Sequence, residues 1–236
     1  MGFQVRTGPA AASAVPFLVV AAMRFAGRFP AAAQLRTWTA RRSAGIAAGA
    51  EFVASGYAVV AATSLFASRA GLELFGIGEP IVELTAVHYT YAGVGALVLA
   101  GAVAREAEAS GRGRRLALVV VAATAVAPPL VAAGFTTRAG VLQVGGAVLM
   151  TVGVWSTAAL QLRAAPSRGW SPAGALLAVS GLSIWITMVL AVAWAAGQHW
   201  NVPALSIHDM ARTHGVTNAV AFCLAGLTAR RLDAPR

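Results

Sequence analysis

Long apolar runs alternate with short polar segments along this chain of 236 residues. A transmembrane helix needs about 20 mostly apolar residues; six runs reach that length, and a seventh, at residues 9–23, is shorter. The pattern therefore predicts an all-α membrane protein, a single seven-helix transmembrane bundle over residues 1–236. The predicted helices lie near residues 9–23, 43–67, 81–104, 116–134, 139–162, 172–197 and 204–229.

The first of these runs has two interpretations. It resembles the apolar core of a signal peptide, because small residues that suit a cleavage site follow at 31–33. Five arginines also follow it closely, which is typical of a retained membrane anchor. We count it as the first of the seven helices.

Composition supports a lipid environment. Hydrophobic residues make up 58% of the chain and charged residues only 11%, whereas a soluble domain has about 25% charged residues. The mean hydropathy is +0.71. These values exclude a cytosolic enzyme, a disordered tail and a disulfide-rich secreted domain, and the single Cys223 has no partner for an internal disulfide.

The net charge of +10 comes from 18 basic and 8 acidic residues. Every basic residue is arginine, and most lie in short clusters between the apolar runs, so we expect no nucleic-acid partner. Cytoplasmic loops of membrane proteins carry the excess of positive charge. Fourteen arginines follow the first, third, fifth and seventh predicted helices, and three lie on the opposite side. This asymmetry predicts a bacterial cytoplasmic membrane protein with its N-terminus outside and its C-terminus in the cytoplasm.

Ionisable side chains at membrane depth are costly, so they are candidates for a functional site. They concentrate on three predicted helices: Glu51 lies on the second, and the others lie on the third and seventh. The third and seventh helices both enter from the outer side. We therefore expect these two helices to be neighbours whose ionisable groups line one pocket in the outer half of the bundle. The groups are Glu83, His88, Asp209, Arg212 and His214.

Spacing along each helix leaves structural alternatives open. Asp209 and Arg212 are three residues apart and could form an ion pair, or Arg212 could bind an anionic group. His214 and Asn218 are four apart and could hydrogen-bond across helices. Glu83 could be a solvated acid in the first turn of its helix.

Aromatic residues supply walls for a hydrophobic ligand. Tyr91 shares a helix face with His88, and Trp185 and Trp194 lie on the sixth predicted helix. We predict that His88, Tyr91, Arg212, Asn218, Trp185 and Trp194 bind the substrate.

Several chemistries lack the residues they require. A retinal protein needs a lysine amine for its Schiff base, and this chain has no lysine. The metal-binding patterns HExxH and ExxH are absent, and two aspartates cannot form aspartate-rich boxes. We therefore predict neither a metal nor a cofactor.

Two segments carry a resemblance to a known family. LTAVHYTYAG at 84–93 and MARTHGVTNA at 210–219 resemble signature stretches of YndJ-like bacterial membrane proteins. The chain differs at Thr90, where a second histidine of a His-x-His pattern is expected. This resemblance implies the topology and the motif positions more than an activity. A looser similarity links the chain to membrane-bound cyclases of meroterpenoid and indole-sesquiterpenoid pathways, and it implies that Glu83 and Asp209 are an acidic pair.

Our hypothesis for function is a metal-independent terpene cyclase acting on a hydrophobic isoprenoid-type molecule in the bilayer. A carboxylic acid would protonate an epoxide or alkene, aromatic faces would stabilise the cation, and His214 or the second carboxylate would remove the last proton. Asp209 is the acid if it is unpaired, and Glu83 is the acid if Arg212 keeps Asp209 ionised. The alternative is a small-molecule or proton-coupled transporter, or a lipid-binding module.

Overall fold

The computed structural model describes residues 45–111, 113–203 and 205–233. Within these ranges the chain forms six helices and no β-strand, so the prediction of an all-α fold is confirmed. The first predicted helix, 9–23, lies outside the described residues. The helices are α1 (Ile46–Arg69), α2 (Ile81–Ala109), α3 (Arg114–Thr137), α4 (Gly140–Ala164), α5 (Pro172–Gly197) and α6 (207–232).

Five of the six helices, α1 to α5, are long and apolar enough to cross a membrane. The bounds of α5 match the predicted 172–197. By contrast, α2 continues past the predicted residue 104 to Ala109, through a polar stretch that contains Arg105 and Glu106. Hydrophobic runs report the membrane-spanning part of a helix, and a helix can extend beyond it.

Small residues let the helices approach closely. A Cβ atom added to Gly134 on α3 would lie 2.5 Å from the backbone nitrogen of Gln143 on α4. Glycine at such contacts allows the backbones of membrane helices to pack together. The α3–α4 pair forms the most extensive contact in the described fold.

Two apolar clusters form the core. The first joins α1, α2 and α3 through residues such as Ala50, Leu97 and Val120. The second joins α2, α4, α5 and α6 through residues such as Met150, Ile184 and Phe222. Helices α2 and α6 are in contact, as we expected of the third and seventh predicted helices.

Ion pairs mark the two ends of the bundle. At one end, Arg69 of α1 binds Glu83 of α2. At the other end Glu51 pairs with Arg105, and a larger network joins the C-terminal ends of α2, α4 and α6. Because successive helices run in opposite directions, most of the described arginines gather at this second end, which we call the arginine-rich end.

Candidate functional site

Helices α2 and α6 depart from regular α-helical geometry where they face each other. Tyr89–Gly95 of α2 and Ala211–Gly215 and Thr217–Leu224 of α6 are wound as π-helix. Such turns are rare, are frequent at functional sites, and change which backbone carbonyls the helix itself uses. Here the Tyr91 carbonyl accepts a weak hydrogen bond from Cys223 Sγ at 3.4 Å, and the Phe222 carbonyl accepts one from Ser180 Oγ at 2.7 Å.

The π-helical part of α2 lies close to both of its neighbours. A Cβ on Gly93 would lie 3.0 Å from the Tyr57 side chain of α1, and one on Gly95 would lie 2.9 Å from Cys223 Sγ of α6. Larger residues at these two positions would push the helices apart. Glycine therefore sets the distance between the π-helical segments.

His214 is bonded to α5. Its Nδ1 lies 2.8 Å from the backbone carbonyl oxygen of Thr187. A carbonyl only accepts, so Nδ1 donates, and in the neutral imidazole Nε2 is then the acceptor.

Asn218 completes a closed network between α5 and α6. Its Oδ1 accepts a hydrogen bond from Thr187 Oγ1 at 2.6 Å, and its Nδ2 lies 3.3 Å from His214 Nε2. The same Nδ2 is 3.9 Å from Met188 Sδ. These contacts match the interpretation in which His214 and Asn218 hydrogen-bond across helices.

His88 of α2 lies near this network, and its side chain is exposed. It is the last residue before the π-helical segment, and its imidazole is near enough to His214 to interact electrostatically. We call His88, Thr187, His214 and Asn218 the histidine cluster. The cluster borders the second apolar core, where Met188, Phe222 and Cys223 are buried.

Glu83 has a partner of its own. Its Oε1 lies 2.6 Å from Arg69 Nη2, and the carboxylate is 43% exposed. Its backbone nitrogen donates to Glu79 Oε2 at 3.2 Å. These contacts lie at the start of α2, and they match the interpretation of Glu83 as a first-turn acid.

Asp209 takes part in a helix cap. Ser206 is the N-cap of α6; its Oγ accepts from the Asp209 backbone nitrogen at 3.1 Å and donates to Asp209 Oδ2 at 2.6 Å. A serine followed by an acid three residues later is the sequence signature of a capping box, so the spacing of Ser206 and Asp209 could have revealed it. Within the described part of the chain, Asp209 and Arg212 do not form an ion pair.

The predicted aromatic walls face different neighbours. Trp185 packs against Trp155 of α4 with ring centroids 5.2 Å apart, and Trp194 packs against Phe135 of α3 at 6.2 Å. Tyr91 exposes part of its side chain, and its carbonyl bonds to α6. Of these three, Trp185 borders the same core as the histidine cluster.

The structure therefore brings together His88, His214 and Asn218 out of the predicted site residues. No hydrogen bond or ion pair of the described residues connects Glu83 with Asp209. Sequence reasoning missed Thr187, since a threonine in an apolar helix carries no distinctive signal. Across the described ranges, no three His, Cys, Asp or Glu side chains are grouped so that they could hold a metal ion.

A family model described as YndJ-like protein matches residues 3–222. The chain belongs to the YndJ-like family. The matched region contains both signature segments and the histidine cluster, so the cluster is part of the family's own region. No curated protein and no solved structure matches this YndJ-like chain, and the comparisons give no support to a similarity with terpene cyclases.

Proposed function

We propose that this YndJ-like protein is an integral protein of the bacterial cytoplasmic membrane with seven helices, its N-terminus outside and its C-terminus in the cytoplasm. The arginine asymmetry of the sequence supports this topology. Glu106 of α2, Arg168 just after α4 and Arg230 of α6 meet at one end of the bundle, which we assign to the cytoplasm.

The protein, in this proposal, binds a hydrophobic isoprenoid-type small molecule that carries an anionic or hydrogen-bonding head group. The histidine cluster is its binding site. The observation that carries the proposal is the hydrogen-bonded network of Thr187, His214 and Asn218 at the π-helical segments of α6, with His88 of the neighbouring helix α2 nearby. Ionisable groups at membrane depth are energetically costly, so those that occur there are candidates for a functional site.

The chemistry of each residue suits such a head group. His214 Nε2 accepts from the Asn218 amide, and a hydroxyl or protonated acid of a ligand could replace that donor. Arg212 lies two residues before His214 and has no ion-pair partner among the described residues, so its charge is available to a carboxylate or phosphate. An imidazole can both donate and accept a proton, which suits proton-coupled binding or transport.

Metal-independent terpene cyclisation is a second proposal for the same site. The specific support is aromatic: Tyr89, next to His88, packs edge-on against Tyr57 with centroids 5.1 Å apart, and aromatic faces stabilise cations. His214 would remove the final proton. Asp209 is the acid in this proposal because it has no ion-pair partner among the described residues, whereas Glu83 is paired with Arg69.

Binding is tested with purified protein in detergent, using farnesoic acid, farnesol and farnesane as probes. We expect farnesoic acid to raise the midpoint of thermal unfolding, and farnesane, which has no head group, to leave it unchanged. His214→Gln should abolish the shift, and Arg212→Gln should weaken the affinity for farnesoic acid about tenfold, the loss of one charge-assisted contact. His199→Gln, at the outer end of α5, is the matched control and should bind normally. Equal binding by wild type and His214→Gln would refute the proposed site.

Cyclisation is tested separately, with membranes that contain the protein and a panel of epoxidised prenyl substrates. Product analysis should detect cyclised material that depends on Asp209 and His214 and persists in EDTA. Binding without any product would refute the cyclase and leave the binding function in place. Loss of product in EDTA would contradict the metal-independent mechanism.

A further inference from the structure

The arginine-rich end contains a charged network that the proposed function does not use. Glu106 of α2 is its centre, and its Oε1 accepts from Arg168 Nη2 at 2.8 Å and from Arg230 Nη1. Arg168 also binds Asp233 through Nε and the Ala164 carbonyl through Nη1 at 2.8 Å. The Arg168 guanidinium therefore has an acceptor on each of its three nitrogens.

Only one of the three guanidinium nitrogens of Arg230 has a hydrogen-bond acceptor among the described residues. Its Nη1 donates to Glu106, while its Nε and Nη2 are closed off from solvent and have no acceptor among the described residues. The side chain is only 16% exposed, so water does not replace the missing acceptor. A buried charged donor without a partner carries a large desolvation penalty, and such a group calls for an explanation such as a bound ion.

The two unpartnered nitrogens form one edge of the guanidinium. Nε and Nη2 present parallel N–H bonds, the geometry that binds two oxygens of a phosphate or carboxylate at once. The nearby carboxylates of Glu106 and Asp233 are already bonded to arginines. The missing partner is therefore an anion that the described chain does not itself supply.

The surroundings favour a phosphate at this place. Seven arginines and four carboxylates of the described residues lie at this end, which leaves a net positive charge; the arginines are Arg105, Arg114, Arg115, Arg163, Arg168, Arg230 and Arg231. Basic sites between transmembrane helices at the cytoplasmic side bind anionic lipid head groups. Glu106 also lines a largely apolar cavity of about 210 Å³ with Val103, Leu116 and Leu160, a space that suits an acyl chain. Arg168 and Arg230 do not line this cavity, so the phosphate of a lipid held there would reach them past Glu106.

We propose that Arg230, together with Arg168, forms a binding site for a phosphate group at the arginine-rich end. A shift of the Arg230 side chain opens the Nε–Nη2 edge, which is closed to solvent in this structure; a phosphate oxygen pair then binds there, and the Arg168 charge adds attraction. The apolar cavity makes a phospholipid the favoured carrier of this phosphate. Binding there would hold the ends of α2, α4 and α6 together around Glu106.

The test uses delipidated full-length protein in detergent and three probes: phosphatidylglycerol, inorganic phosphate and diacylglycerol. We expect phosphatidylglycerol to raise the midpoint of thermal unfolding in a saturable way and to remain bound in native mass spectrometry. Arg230→Lys keeps the charge and the contact with Glu106 but removes the Nε–Nη2 edge, so its affinity should fall about tenfold. Arg231→Lys, on the adjacent exposed arginine, is the matched control and should bind like wild type.

The three probes separate the possible sources of the phosphate. An equal shift with inorganic phosphate and none with diacylglycerol would support the anion site with free phosphate as its ligand. An equal shift with diacylglycerol would show that the acyl chains alone bind, and would overturn the proposal. Wild-type affinity in Arg230→Lys, or no binding of either phosphate-bearing probe, would also overturn it.

Discussion

Adjacent glycines on α4 give a sharp test of how the helices pack. A Cβ added to Gly146 would lie 2.7 Å from Val131 Cγ2, 2.8 Å from the Val131 backbone nitrogen and 3.1 Å from the Ala127 carbonyl oxygen. A Cβ added to Gly145, one residue earlier, would have no atom within 4 Å. The same substitution therefore meets α3 at one position and open space at the other.

The expected magnitudes follow from these contacts. Overpacking costs roughly 1–3 kcal/mol. The upper half of this range applies to Gly146→Ala, because the added Cβ would meet backbone atoms of α3, which cannot rotate away as a side chain can. Replacing glycine by alanine in a helix returns up to about 1 kcal/mol of intrinsic preference. We expect Gly146→Ala to lower the free energy of unfolding by about 1–2 kcal/mol and Gly145→Ala to raise it by up to about 1 kcal/mol.

The single cysteine of the chain provides the assay. Cys223 is 3% exposed in the fold, so a thiol-reactive fluorogenic dye reports unfolding as the thiol becomes accessible. For a chain of this size, 1 kcal/mol corresponds to about 2–4 °C in the unfolding midpoint. The two variants should therefore differ by about 2–12 °C, with Gly146→Ala lower. Equal midpoints would show that α3 and α4 do not pack at the distance seen here.

Three further substitutions test the site contacts. Ser206→Ala removes the cap of α6 and should lower the free energy of unfolding by about 1 kcal/mol. Ser206→Asp should retain most of the stability that the cap contributes. An unchanged unfolding midpoint in the alanine variant would contradict the cap. Glu83→Gln breaks the half-exposed pair with Arg69 and should cost at most about 1 kcal/mol; a much larger loss would show that Glu83 is needed in the core. Thr187→Val leaves Asn218 Oδ1 without its donor and should cost about 1–3 kcal/mol, whereas Thr187→Ser should behave like wild type in the same dye assay.

Local patterns in the sequence determine the helices. Residues 172–197 form a helix with the predicted bounds, because Ser171 caps it, Pro172 suits its first turn and an uninterrupted apolar run follows. The cap of α6 was not predicted, although the spacing of Ser206 and Asp209 carries its signature. Hydrophobicity and capping depend on neighbours in the chain, so both can be read from the sequence alone.

The candidate site depended partly on the sequence and partly on packing. The predicted topology put His88 and His214 at a similar depth, and the contact of α2 with α6 brings the two helices together. Thr187 enters the site only because its face of α5 meets α6. Nothing in an apolar helix shows in advance which face will meet a neighbour, since nearly every face is apolar.

Tertiary structure alone decided the partners of the charged residues. The sequence predicted an arginine-rich end, but Glu106 could have paired with any of several arginines there. The fold selects Arg168 and Arg230, because the ends of α4 and α6 meet beside α2. In the same way, the turn between α1 and α2 brings Glu83 next to Arg69, so that Glu83 pairs with this arginine and not with the histidine cluster. An ion pair depends on the positions of two side chains in space, and packing of the whole bundle determines those positions.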